Sequence, residues 1–334
     1  MKAIVYLGEN HIEVKDISMP DIPDGWGLIK VSHAGICGTD LNIYAGTHPR
    51  AKAPLVIGHE FSGVMENDVP GHKKGSRVTA YPLISCMKCS SCNEGNKHVC
   101  NTLGLYGIDA DGGMAEYVAI PADQIIDLPD GVSDKLGALL EPIAVTVHTL
   151  RETHFVSGNN ALVFGCGTIG LCLALTLRIF GARDILLVET DESRISLAKE
   201  MGFDVVNPME CDLLKIVSDR TGGDGFDNVY DCAGAQAVAN VLLDVVKVKG
   251  QIVIVASYKK AAELPLFKGM AKELSINFVR VYRLKDFDIA AKIAVNEPLY
   301  EKIITHVLPV ERAQEGFDLL FTKGTGAVKV MYKF

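Results

Sequence analysis

Cys86, Cys89, Cys92 and Cys100 are separated by two, two and seven residues. The intervening segments, Met87-Lys88, Ser90-Ser91 and Asn93 to His98, are mostly polar and turn-prone, so these thiols do not belong to an apolar core. Four thiolates from one loop suit a tetrahedral zinc ion in a closed, structural site. An iron–sulfur cluster is the competing metal reading, but its bacterial run has a shorter last gap followed by proline, whereas Asn101 follows Cys100 here. The other five cysteines, Cys37, Cys166, Cys172, Cys211 and Cys232, are scattered. Without a secretion signal, such a cluster points to metal rather than to disulfides.

A second constellation is Gly165-Cys166-Gly167-Thr168-Ile169-Gly170, a G-x-G-x-x-G run. Alone it is weak, but it follows the apolar run Ala161 to Phe164 and opens a helical pattern, the context in which it binds a dinucleotide. Gly165 then serves the tight turn, Gly167 the approach of the pyrophosphate, and Gly170 the packing of helix on strand. The helix N-terminus offers free N–H groups and a positive dipole end to the phosphates. Glu189 lies nineteen residues past Gly170, where an acid can accept bonds from the ribose hydroxyls. A carboxylate there opposes a 2′-phosphate, so the expected cofactor is NAD rather than NADP.

Cys37, His59 and Glu60 form a third group, and each has an ordinary alternative. Cys37 suits a small core residue, His59 a hydrogen-bonded histidine, and Glu60 a surface acid. His33, His148 and His306 read as structural.

These residues need elements to hold them. Up to about residue 148 the chain alternates short apolar segments with Gly and Pro, as in Leu28 to Ala34, Ser76 to Tyr81 and Ala115 to Ile120. That is an irregular, β-rich region. From about residue 159, strands at 161–164, 185–188, 226–230 and 251–255 alternate with helices at 168–180, 192–201 and 235–246. Repeated βα units predict a parallel sheet covered on both faces. Two more helical patterns and a closing strand at 327–332 follow residue 284. The 334 residues suffice for two domains. With 48% hydrophobic and 22% charged residues and a formal charge of −8, the chain is expected to be soluble, with no nucleic acid or membrane as partner. Met1 to Tyr6 reads as a strand and not as a leader, which makes the cytoplasm the expected compartment.

Taken together, Gly35-Ile36-Cys37-Gly38-Thr39-Asp40, Gly58-His59-Glu60-Phe61-Ser62-Gly63, the four-cysteine loop, Gly112 to Tyr117 and Leu140-Glu141-Pro142 occur in a familiar order. They resemble the zinc-containing medium-chain alcohol dehydrogenases along nearly the whole chain. The Glu141-Pro142 pair looks like the polyol (sorbitol), butanediol, sugar-phosphate and threonine branch.

The resemblance implies an α/β fold. A GroES-like, β-rich catalytic domain would comprise residues 1–148 and 285–334, and a Rossmann NAD-binding domain, a doubly wound parallel sheet, residues 149–284. It makes Cys37, His59 and Glu60 ligands of a catalytic zinc, with Glu141 at the metal or its bound water. Thr39 becomes the hydroxyl that hands the substrate proton away. Relatives often carry His three residues later, where this chain has Asn42, leaving water or His48 for the outer proton path. NAD contacts map onto Gly165, Gly167, Ile169, Gly170, Glu189 and Arg194, with backbone near Val255 to Ser257. Arg280 resembles a substrate-pocket arginine, although Arg280 and Arg283 also suit pairing with acids. The implied reaction moves hydride between NAD and a secondary alcohol of a polyol, sugar acid or sugar phosphate. Threonine or a small diol is the alternative. The resemblance also implies a homodimer or homotetramer joined through Rossmann-domain edges. Two readings from other classes are a zinc-ribbon nucleic-acid binder and a member of the fold without chemistry. The acidic balance opposes the first, and the complete set Cys37, Thr39, His59 and Glu60 the second.

Overall fold

The run Ile29-Lys30-Val31 buries its first and third side chains and exposes the second, the period of a strand with one face on a core. The computed structural model describes residues 1–334 and divides them into two units, Met1–Ala144 with Tyr282–Phe334, and Val145–Val281. The sequence places these breaks a few residues later.

In the first unit the chain runs through β1 (Lys2–Gly8), β2 (His11–Asp16), β3 (Trp26–Gly35), α1 (Gly38–Tyr44), β4 (Leu55–Val56), β5 (Glu60–Met65), β6 (Arg77–Ala80) and β7 (Leu83–Ile84). It continues through α2 (Ser90–Asn93), β8 (Gly104–Leu105), β9 (Tyr117–Pro121), β10 (Ile125–Asp127) and α3 (Asp134–Glu152), within which the boundary between the units falls. The second unit holds β11 (Asn160–Phe164), α4 (Thr168–Ile179), β12 (Asp184–Val188), α5 (Glu192–Glu200), β13 (Asp204–Val206), α6 (Leu213–Thr221), β14 (Phe226–Asp231), α7 (Gln236–Val245), β15 (Val246–Ile254), α8 (Leu266–Ala271) and β16 (Ser275–Phe278). The chain then closes the first unit with α9 (Leu284–Asn296), β17 (Ile304–Pro309), α10 (Ala313–Phe321) and β18 (Lys329–Lys333).

The main sheet of the first unit has the order β10-β6-β5-β3-β18-β17, with β9 also paired to β3. Its centre is where the chain ends meet, since β3 pairs antiparallel with β5 on one side and with β18 on the other. A register shift between Val31 and His33 resets the alternation of β3, so Gly35 comes opposite Glu60. One strand end, one strand start and the C-terminal strand therefore converge around Gly35, Glu60 and Lys329.

In the second unit six parallel strands follow the order β13-β12-β11-β14-β15-β16. Every residue of β11 is buried, as expected of a parallel strand covered on both faces. Leu162, Phe164, Leu186, Val188, Val229 and Ile252 are core residues of this sheet. From β11 the chain winds to β12 on one side and reaches β14 on the other, so the carboxyl ends of β11 and β14 form the switch point where such sheets bind ligands. The sequence reading missed β13, α6, α8 and β16. The strands among them have three and four residues, and the helices six and nine, too short for a clear periodicity.

Candidate active site and metal centres

Cys37 terminates the turn after β3 and stands at the N-cap of α1. Its amide donates to Asp40 Oδ2 at 2.8 Å, while its carbonyl accepts from the Asp40 amide, an arrangement that fixes the thiol's position. Asp40 is fully buried, and burial raises its carboxyl above the usual range against the pull of His59. His59 and Glu60 come from the start of β5 and are both buried. Cys37, His59 and Glu60 bring their ligand atoms within 4.8 Å of one another. Glu141, on α3, is buried beside His59 and Glu60. Burial, with Glu60 adding to it, pushes its carboxyl up to about 7. Burial alone would lower His59, but the Cys37 thiol, Asp40 and Glu141 outweigh it and hold the imidazole well above its ordinary value.

One cation answers this group of acids. Lys329 from β18 is buried, donates to Glu60 Oε2 at 2.6 Å and Oε1 at 2.9 Å, and donates to the Ile36 carbonyl at 2.9 Å. Tyr282, also fully buried, lies alongside Glu141 and receives the Tyr81 hydroxyl on its carbonyl at 3.2 Å.

The donor set fits a metal ion. A thiol, an imidazole and a carboxylate converge, His59 Nδ1 is buried without a hydrogen-bond partner, and four acidic groups face one lysine. A dication supplies the missing charge, and a thiolate with an imidazole favours zinc over the hard oxygen-seeking ions.

The four clustered cysteines lie in the loop between β7 and β8, with all four sulfur atoms within 4.8 Å of one another and none in a disulfide. Cys89 caps α2, and the Cys86 amide donates to Cys100 Sγ at 3.3 Å. The Lys88 amide, followed by Cys100, draws the Cys86 thiol down to about 6. A closed set of four sulfurs fits structural zinc.

At the glycine run, Gly167 caps α4 and Gly170 packs so closely that a Cβ there would lie 1.8 Å from the Gly165 carbonyl oxygen. Ile169 is half-buried in the first turn of α4. Glu189 Oε2 accepts from the Cys166 amide at 2.8 Å, and Oε1 accepts from the amides of Thr190 at 2.7 Å and Asp191 at 3.1 Å. This acid thus ties the glycine loop to the end of β12. The Arg194 guanidinium is the nearest group to a Cβ built on Gly167, at 3.9 Å. Val255 and Ser257 follow β15.

Other sequence-derived candidates are less decisively placed. Thr39 is half-buried in the first turn of α1. His48 Nδ1 faces the amides of Arg50 at 3.4 Å and Ala51 at 3.2 Å, so its acceptor nitrogen is already engaged. Arg280 is exposed after β16, whereas Arg283 donates to Asn96 Oδ1 at 3.1 Å. Sequence reasoning missed Lys329, Tyr282 and the charge role of Asp40. Only Asp40 carried a signal, since it closes the Cys37-x-x-Asp40 capping pattern. Lys329 reads as an ordinary strand residue until β18 is paired with β3.

Residues 23–130 match the family described as the alcohol dehydrogenase GroES-like domain, and residues 168–296 the one described as zinc-binding dehydrogenase. The 2-dehydro-3-deoxy-L-galactonate 5-dehydrogenase of Pseudoalteromonas atlantica is 35% identical over 88% of this chain and 87% of its own. The L-threonine 3-dehydrogenase of Bacillus subtilis is 33% identical over 94% and 93%. Among solved structures, an alcohol dehydrogenase of Escherichia coli CFT073 in complex with NADH is 28% identical, with a TM-score of 0.91 over 100% of this chain and 99% of that one. The chain belongs to the zinc-type alcohol dehydrogenase family. It is an oxidoreductase acting on CH–OH groups, with the GroES-like and Rossmann folds that its motifs imply.

Proposed function

We propose that this enzyme oxidises a secondary alcohol of a polyol, sugar acid or sugar phosphate and passes the hydride to NAD. The convergence of Cys37, His59 and Glu60 carries this reading. Zinc bound there, with Glu141 alongside, supplies Lewis-acid polarisation of the substrate hydroxyl. Lys329 holds the Glu60 carboxylate in place, Asp40 lies beside His59, and Thr39 carries the substrate proton outward. Asn42 cannot titrate and His48 Nδ1 is engaged, so water continues the path. The second unit binds NAD over Gly165, Gly167, Ile169 and Gly170, with Glu189 and Arg194 at the adenosine side and Val255 to Ser257 as backbone contacts. Bound there, NAD would supply the hydride acceptor, and these residues would orient it. Arg280 is assigned to the substrate side, and Cys86, Cys89, Cys92 and Cys100 to a structural zinc.

The sugar-acid relative favours this substrate class, and the threonine dehydrogenase relative favours the alternative, threonine or a small diol. No helix is long and apolar enough to cross a membrane, and all nine cysteines are free thiols, which suits the reducing cytoplasm. A homodimer or homotetramer through the free edge of the second unit's sheet completes the proposal.

NADH formation against polyols, aldonates, sugar phosphates, diols and threonine tests the substrate class. The Cys37→Ala variant should lose turnover and one of two zinc ions while melting near the wild type. Normal turnover in that variant would refute the site.

A further inference from the structure

Two strands of the second unit end on carboxylates that flank the switch point. Glu189, after β12, accepts from the Cys166 amide of the glycine loop and from the amides of Thr190 and Asp191 in its own turn. Asp231, the last residue of β14, gathers amides on the other side. Its Oδ1 accepts from the amides of Ala233 and Gly234, each at 2.9 Å, and its Oδ2 accepts from the Tyr258 hydroxyl at 2.5 Å. Its main-chain carbonyl accepts from the amides of Val255 at 3.0 Å and Ala256 at 2.9 Å. Asp231 is fully buried, and its charge is met by these donors rather than by a cation.

The same residues bring three loops into register. A Cβ on Gly165 would lie 3.3 Å from Ala233 Cβ, and one on Gly234 would lie 3.1 Å from Ala256 Cβ and 3.3 Å from the Ser257 carbonyl oxygen. The glycine loop therefore leans on the turn after β14, and that turn leans on the segment after β15. Tyr258 closes the set. Its half-buried ring belongs to the third loop, while its hydroxyl reaches back to the end of β14. Without that hydroxyl, Asp231 holds the third loop only through two main-chain bonds at its near end, and beyond Ser257 the segment is held by the packing of the Tyr258 ring on the core.

We infer that Asp231 and Tyr258 form a latch that sets the wall of the cofactor crevice along Val255 to Ser257, which makes Tyr258 a positioning residue for NAD. The inference rests on the glycine-loop cofactor site proposed above. Tyr258 acts through the loop it anchors, so its loss should weaken cofactor binding while sparing the chemistry of bound cofactor; stripping one donor from buried Asp231 also lowers stability. Tyr258→Phe keeps the ring and removes one hydrogen bond to a charged group, so it separates the latch from packing.

The test uses the zinc-loaded enzyme. NADH binding is followed by its fluorescence, KM for NAD and kcat by steady-state kinetics, and stability by thermal melting. For Tyr258→Phe the Kd for NADH and the KM for NAD should rise about five- to tenfold. The kcat at saturating NAD should stay near the wild type, while the melting temperature falls by the loss of one bond to buried Asp231. Faster amide exchange at Val255 to Ser257 supports the latch directly. An unchanged Kd in Tyr258→Phe, with binding weakened in Glu189→Ala, overturns the latch and leaves the glycine-loop site standing. A lowered melting temperature with unchanged Kd also overturns it, since the bond is then merely structural. Unchanged NADH binding in both variants removes the cofactor site and the latch together.

Discussion

Lys329 reaches both oxygens of Glu60 from inside the protein, and burial makes each partner depend on the other. Removing one member of a buried pair strands the remaining charge, which costs about 3–5 kcal/mol. Lys329→Met should therefore lower the free energy of unfolding by about that amount in metal-free protein, read from urea midpoints. A metal ion beside Glu60 offsets part of the stranded charge, so the loss should be smaller in zinc-loaded protein. Equal losses in the two forms would show that Glu60 does not share its carboxylate with the metal. Glu189 bears a different load, because one of its three backbone bonds holds the glycine loop and the other two, from Thr190 and Asp191, fix its own carboxylate. Glu189→Ala removes both the repulsion toward a 2′-phosphate and the tether on Cys166. NAD affinity should fall and relative preference move toward NADP by about tenfold or more, each tenfold being about 1.4 kcal/mol. Arg194, close to Gly167, should not favour NADP when changed to Ala. A wild-type catalytic efficiency as high with NADP as with NAD would show that Glu189 does not face the ribose.

The four-cysteine loop contains little regular structure. Its only regular elements are the four-residue α2 and a three-residue turn of helix at Lys97–Val99. Such a segment buries too little apolar surface to order itself, so a bound ion supplies folding free energy outright. Cys89→Ser should lower the melting temperature or the soluble yield before it affects turnover, with one zinc fewer by elemental analysis. A variant that loses the ion and melts like wild type would refute the structural role. The same contrast between local and long-range determinants explains what the sequence disclosed. The glycine fingerprint, the cysteine spacing and four of the six strands of the second unit are local patterns, each legible within about twenty residues. So was the group Cys37, His59 and Glu60, but only through its likeness to a family, because its members come from separate strands. Lys329 and Tyr282 could not be read at all. They enter the site when the chain returns through β18 and the segment before α9, and that pairing has no signature in the residues around them. Nothing in the sequence singles out Asp231, since what matters about it is the donors from two later loops.

At the scale of the whole molecule, the parallel sheet of the second unit ends at β16, which pairs with β15 on one side and with nothing on the other. An edge strand presents unpaired backbone groups, and proteins usually blunt it with charge, proline or a covering element. Here Phe278 at the end of β16 is 77% exposed, and Leu266, Phe267 and Met270 of α8 are 72%, 78% and 67% exposed. An exposed large apolar side chain on an open edge strand suits an interface between copies. Twofold symmetry lets one β16 pair with another antiparallel, satisfying both edges at once and covering both Phe278 side chains. Phe278→Asp places a charge where that contact forms and disturbs the rest of the sheet little, because the side chain is mostly exposed. Light scattering coupled to gel filtration should give a mass of two or four chains for the wild type and a smaller mass for this variant, with circular dichroism unchanged. The monomeric variant should also melt at a temperature independent of protein concentration, unlike the parent. A wild type that elutes as a single chain at all concentrations would rule out this edge as an interface, and an oligomer unaffected by Phe278→Asp would move the contact to another face.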